Sequence, residues 1–212
     1  MNTTPTAVTS ETLHASLAGV LSDEALTWIE DARATLGRAP ERVTFYSAIT
    51  ALRCGRAPLG AALPGWTADD AVRVLLLCAL RPGLADGPLA DRVEEVYRQG
   101  DSAERRAVLR ALPLLKLARH CQSLLRDALR TNDPRLIGAA LGPCATALDQ
   151  RAWRDGVLKC VFVGVPLTEV AGLRERMDAD LLRMFGDYAA ERRAAGRPVP
   201  DDLAAFLDLK ED

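Results

Sequence analysis

Nowhere along the 212 residues does an apolar–polar alternation of period two survive five residues between turn signals, so the pattern of a half-buried strand is missing. Apolar residues recur instead three and four apart, in segments broken roughly every 10 to 20 residues by glycine, proline or a capping residue. That punctuation admits only short helices joined by short loops. Aromatic residues make up 5% of the chain, so the core must be built from Ala, Leu and Val. Ala and Leu are strong helix formers, whereas aromatic and β-branched residues favour strands. The expectation is an all-α fold of antiparallel helices stacked in sequence order, HEAT-like and α-superhelical, or an irregular helical bundle. No repeat of fixed period is present, although Asp101 to Leu141 reads as a degenerate HEAT-type pair. The polar first ten residues read as mobile and 11–212 as a single helical domain, with a possible subdivision near 81–100.

Individual helices can be placed. Leu13, Leu17 and Val20 share one face; Ser22 starts a helix bearing Ala25, Leu26, Ile29, Ala32 and Leu36, and Gly37 stops it. Pro40 opens a third helix whose apolar positions are Val43, Phe45, Ile49 and Leu52. The longest loop follows, Arg53 to Trp66, either a lid or a linker. Thr67 and Asp70 form a capping-box pattern ahead of Val72 to Leu80, which is apolar nearly all round except for Arg73 and so belongs at the centre of the N-terminal half. A short helix from Pro88 to Gln99 precedes a second capping box, Asp101 and Glu104. Its helix runs through Leu112, where Pro113 kinks it or starts another. Cys121, Leu124, Leu125, Ala128 and Leu129 trace the next stripe, Asp133-Pro134 caps a further helix, and Gly142-Pro143 breaks it. Helices from Asp149 to Phe162 and Asp178 to Ala195 follow, with a tail from Val199 to Leu207.

Several functions are disfavoured. The net charge of −2 lacks the excess of cations that phosphate binding requires, so nucleic acid is not an expected partner. Five scattered cysteines without a C-x-x-C pair suit reduced thiols. The first residues lack a signal-peptide pattern, and the longest apolar stretch, Val74 to Leu80, is far short of a transmembrane segment. A cytoplasmic location is expected, with no cofactor and no metal. Glu11 and His14 have E-x-x-H spacing, but a di-iron bundle needs two such motifs and two more glutamates. His120 and Cys121 are adjacent and diverge by about 100° on a helix, so they do not face each other. Asp69 and Asp70 read as first-turn acids favoured by the helix dipole. No glycine-rich phosphate loop and no G-x-S-x-G turn is present.

The C-terminal third offers one constellation. On the helix from Asp178, Leu181, Met184, Phe185 and Tyr188 form an apolar face, and Arg183, Asp187 and Glu191 lie at i, i+4 and i+8 on another, with Arg192 beside them. The bland reading is an exposed ion-pair ladder worth about 0.2–0.5 kcal/mol per pair. The sharper reading is a groove with Tyr188 at its rim, addressed by Trp153, Lys159 and Arg174.

The same segment carries a resemblance. The run from Trp153 through Val157-Leu158-Lys159, Phe162, Gly164 and Pro166-Leu167, then Gly172 to Arg176, then Asp187-Tyr188-Ala189-Ala190-Glu191-Arg192-Arg193-Ala194-Ala195-Gly196-Arg197, resembles the EboA family. Gly100 to Arg106, Leu112 to Leu115 and Thr131 to Asp133 also fit, so the resemblance spans about residues 97 to 202. Ala190 and Arg193 stand where the family pattern has histidine and tryptophan. The resemblance implies a place in a bacterial gene cluster that also encodes a prenyltransferase-like membrane protein and is linked to moving a secondary-metabolite precursor. It implies no reaction. Two functions are expected from these readings. One is an accessory, non-catalytic scaffold or metabolite-binding component, whose partners are proteins or a small-molecule intermediate of that cluster. The alternative is an enzyme acting on a prenyl- or polyol-type intermediate, with Glu191 or Tyr188 as acid/base and Arg174, Arg192 and Lys159 holding an anionic group; Asp187 and Arg197 complete the candidate groove.

Overall fold

The computed structural model describes residues 8–208. The expected mobile segment 1–10 lies mostly outside them; within them Thr9 already caps a helix, its Oγ1 accepting from the Thr12 N–H at 3.1 Å, and Ser10 begins it. Among the described residues, twelve α-helices, five short 3₁₀ turns and an isolated bridge between Pro58 and Thr67 make up the regular structure, with no strand. No helix among the described residues is long and apolar enough to cross a membrane. The chain forms two compact units, Met1–Cys121 and Gln122–Asp212.

The first unit contains α1 (Ser10–Ala18), α2 (Asp23–Leu36), α3 (Val43–Cys54), α4 (Ala68–Cys78), α5 (Asp86–Gln99) and α6 (Ser102–Leu115). Capping sets most of these limits. Ser22 accepts from Ala25 at the start of α2, and Asp101 accepts from Ala103 and Glu104 while the Glu104 carboxylate takes the Asp101 N–H at the start of α6. α6 runs through Pro113 and stops at Lys116, whose φ of 56° is left-handed. α4 is the centre, with α1, α2, α3 and α6 packed against it, and every residue from Ala68 to Leu77 is buried. Each fully buried Leu, Val or Ile contributes about 1.5–3 kcal/mol relative to exposure, so α4 is the main hydrophobic anchor of this unit.

Three of those buried residues are charged. Asp70, with no exposed surface, accepts from Arg106 at 2.7 Å and Arg110 at 2.8 Å. Asp69 accepts from Arg73 Nη1 at 2.6 Å and from the Thr67 hydroxyl at 2.6 Å, and Arg73 Nε donates to the Ser47 carbonyl. The two acids are therefore more than first-turn residues beside a helix dipole; they are the buried counter-ions of an arginine cluster in which Arg73 is buried and Arg106 and Arg110 are half-buried. That cluster also holds the long loop. Arg110 donates to the Gly65 carbonyl and stacks 4.5 Å from the Trp66 ring, Arg56 lies 3.7 Å from Asp69, and the Ala68 N–H donates to Ala57. With Leu59 and Leu63 buried, the loop is pinned to the start of α4.

α3 departs from its sequence pattern. Its inward positions are Val43, Ser47, Thr50 and Cys54, whereas Phe45 is 54% and Leu52 85% exposed. Small Ser and Thr side chains let α3 lie close to the crowded α4, where the Ser47 carbonyl meets Arg73 and the Thr50 hydroxyl donates to the Tyr46 carbonyl.

The second unit contains α7 (Gln122–Arg130), α8 (Pro134–Ala140), α9 (Gln150–Val163), α10 (Leu173–Arg176), α11 (Ala179–Ala194) and α12 (Asp201–Asp208). The four-residue α10 and the 3₁₀ turns at Pro143–Ala147 and Leu167–Glu169 are additions to the expected elements. α9 packs against α7, α8 and α11, and α11 against α12. Asp149 caps α9 through the Ala152 N–H and Asp178 caps α11 through Leu181. Phe185 and Trp153 are the largest side chains buried in this core.

Candidate functional site

The face of α9 turned toward α7 carries Ala152, Asp155, Gly156 and Lys159, at i, i+3, i+4 and i+7. α7 offers Arg126, Leu129 and Arg130, the two arginines one turn apart. Together these seven residues line a pocket of about 280 Å³. Gly156 allows the close approach: a Cβ there would lie 3.0 and 3.1 Å from the two Leu129 methyls and 3.3 Å from Leu141. Lys159 bridges the helices by donating from Nζ to the Leu129 carbonyl at 3.0 Å. This leaves the ammonium two further donors.

The pocket carries three cations against one carboxylate. Arg126 is paired at 2.6 Å with Asp149, whose carboxyl is held below the usual carboxylate range by the Ala152 N–H and by Arg126. Neither the Arg130 nor the Asp155 side chain makes a hydrogen bond or ion pair with another described residue. Such a lining suits an anionic group: guanidinium accepts phosphate or carboxylate in a bidentate fork, and ammonium adds a point charge.

The eight residues singled out in the sequence do not converge. Trp153 has no exposed surface and packs in the core beneath Arg176, whose guanidinium lies 4.5 Å from the indole and donates to the Ala145 and Leu148 carbonyls. It supports α9 from within the core and lines no groove, because it points about 120° round the helix from Lys159 and is fully buried. Lys159 alone reaches the pocket. Tyr188 and Arg192 meet on α11: the Tyr188 ring stands edge-on to Phe162 at 4.9 Å, and Arg192 lies 6.0 Å over Tyr188 and donates to the Pro198 carbonyl. Arg197 joins them through its backbone N–H, which donates to Arg192. Arg174 stacks over Phe206 of α12. Asp187 pairs with Arg183 at 2.8 Å in full solvent, while Glu191 is exposed.

Arg126, Arg130, Asp155 and Gly156 were not singled out in the sequence. A signal existed, since a glycine in mid-helix costs about 1 kcal/mol relative to alanine and marks a close approach. Its placement between Asp155 and Lys159 fixes the face, but which helix approaches is a tertiary fact. Phe162, which the sequence offers as part of the family pattern, is 60% exposed one turn beyond Lys159.

These features define a helical protein with a small cationic pocket between two helices. The family described as metabolite traffic protein EboA matches residues 60–208, most of the chain. The protein belongs to that family. α4 to α12 lie within the match, including the arginine cluster and the α7–α9 pocket, whereas α1 to α3 precede it. No curated protein and no solved structure matches the chain.

Proposed function

We propose that this protein is a non-catalytic, metabolite-binding component of a bacterial secondary-metabolite biosynthesis and export system, acting in the cytoplasm with other proteins of its gene cluster. The observation that carries the reading is the α7–α9 pocket, in which Arg126, Arg130 and Lys159 surround a space open to a small anionic group. The family description supplies the context of metabolite traffic. Size narrows the ligand. Pockets that enclose drug-sized molecules run to about 300–1,000 Å³, so about 280 Å³ admits a phosphate- or carboxylate-bearing head and leaves a longer hydrocarbon part outside. The reading as a holding site rests on the charge of the lining, in which Arg126, Arg130 and Lys159 outnumber the one carboxylate, Asp155.

Native mass spectrometry of the protein purified from its own host tests this. The expected result is a bound compound of defined mass bearing a phosphate or carboxylate, released on denaturation and lost from an Arg130→Ala, Lys159→Gln double variant. A protein that carries no compound, or one that the double variant retains in full, overturns the pocket assignment. Return of the compound with an altered mass after incubation replaces the non-catalytic reading with the enzymatic one.

A further inference from the structure

We infer that the outward face of α3 is a docking surface for an acidic amphipathic helix of a partner protein. α3 is amphipathic in the inverted sense. Its inward row is Val43, Ser47, Thr50 and Cys54. Its outward row is Phe45, Ala48, Ile49 and Leu52, spaced i, i+3, i+4 and i+7, with Phe45 54% and Leu52 85% exposed. The hydroxyl of the inward Ser47, and that of Thr44 beside the row, are buried without a hydrogen-bond partner. A helix that buries unsatisfied hydroxyls and exposes Phe and Leu loses stability on both faces. The spacing of the outward row is that of the anchors by which one helix packs on another. Aromatic rings extend it toward α2, where Trp28 lies 6.0 Å from Tyr46, itself 5.5 Å from Phe45.

Charge selects the occupant. Between Val43 and Cys54 there is no acidic residue, and an arginine stands at each end of the row. Arg42 lies over the Phe45 and Tyr46 rings at 5.9 and 5.5 Å and has no carboxylate partner among the described residues. Arg53 lines a notch of about 250 Å³ with Leu52, Trp28, Ala25, Ser22 and Glu24, without an ion pair to Glu24. Eleven residues at 1.5 Å separate the two arginines by about 16 Å along the axis. A helix carrying an apolar row with an acid near each end, about three turns apart, satisfies both. A second copy of α3 does not, because either orientation sets arginine against arginine. An anionic bilayer is also disfavoured, since Ser22 to Arg56 holds five carboxylates and five arginines, with no net charge to attract it.

The test is site-specific photo-cross-linking of the full chain in its own host, with p-benzoylphenylalanine at Leu52 and, as control, at the exposed Arg98 on α5. The expected product at Leu52 alone is one protein, joined through a helical peptide with an apolar row and acids about three turns apart. A synthetic copy of that peptide then binds the purified protein with micromolar or tighter affinity. Phe45→Glu, and separately the Arg42→Glu, Arg53→Glu pair, weaken it at least tenfold with an unchanged thermal midpoint. Cross-linking to another copy of this chain, to lipid, or no more than at Arg98 overturns the inference. So does a mapped peptide that lacks the acids, or binding that is indifferent to both sets of substitutions.

Discussion

Asp70 has no exposed surface and accepts from Arg106 and Arg110, so losing the carboxylate leaves two guanidiniums, 11% and 19% exposed, without their counter-ion. Removing one member of a buried ion cluster costs about 3–5 kcal/mol because the remaining charges stay desolvated, a large share of a typical stability of about 5–15 kcal/mol. Asp70→Ala is therefore expected to lower the urea midpoint severely. Asp187→Ala, whose pair with Arg183 lies in solvent, is expected to leave it nearly unmoved. The neighbouring Asp69 makes a pH prediction. Burial alone would raise its carboxyl, but the hydrogen bonds from Thr67 and Arg73 and the charges of Arg73 and Arg56 hold it below the usual carboxylate range. With a depressed native value, its stabilising contribution is complete above the unfolded value of about 3.9 and is lost as pH falls through the native one. Urea midpoints measured from about pH 6 down to about pH 2 should fall, and Asp69→Asn should fall less over the same interval while starting lower. The sequence displayed both acids and marked Asp70 as part of a capping box. It hid the counter-ions of Asp70, because Arg106 and Arg110 lie 36 and 40 residues away, whereas Arg73, the partner of Asp69, stands one turn on in the same helix. The cysteines were legible: Cys54 and Cys121 are buried with thiols pushed up to about 11, and burial with nearby Glu169 and Asp202 pushes Cys160 up to about 12.

At the scale of elements, capping residues wrote the helix boundaries and packing chose the faces. Ser22, Asp101, Asp133, Asp149 and Asp178 each cap the helix that their position in the sequence announces. The two glycines of α9 and α11 separate packing from propensity. At Gly156 a Cβ would press on Leu129 and Leu141 at 3.0 to 3.3 Å; overpacking of about 1–3 kcal/mol outweighs the propensity gain of about 1 kcal/mol. At Gly186 a Cβ meets nothing within 4 Å, so only the propensity gain remains. Gly156→Ala is expected to lower the denaturation midpoint and Gly186→Ala to raise it, a gain in stability of about 0.5–1 kcal/mol. Equal gains at both positions would show that α7 does not lie as close to α9 as described. α3 shows the limit of periodicity. Its Phe, Ile and Leu trace a face as clean as any in the chain, and the structure turns that face to solvent. α4 already fills the interior with Leu and Val and leaves room beside it only for small side chains.

For the whole molecule, two compact units meet the sequence at Cys121 and Gln122, inside a stretch that periodicity alone reads as one continuous stripe from Cys121 to Leu129. The first unit has its own anchor in α4, with α1, α2, α3 and α6 around it. A fragment ending at Cys121 is expected to keep a helical circular-dichroism spectrum and a cooperative thermal transition. A non-cooperative, unfolded fragment would show that α4 and its neighbours do not suffice as a core.

By itself the sequence determined that the chain is all-α, where most helices begin and end, and the family it belongs to, because each rests on local chemistry: capping oxygens, glycine and proline geometry, and apolar spacing within a turn or two. It also displayed Lys159 as a residue of interest. Only the tertiary structure decided that Trp153 is core, that Arg126 and Arg130 stand across from Lys159, that Asp70 answers Arg106 and Arg110, and that α3 turns Phe45 and Leu52 outward. Each of those depends on which helix lies against which, a choice made by volume and charge across long sequence separations that no local pattern encodes.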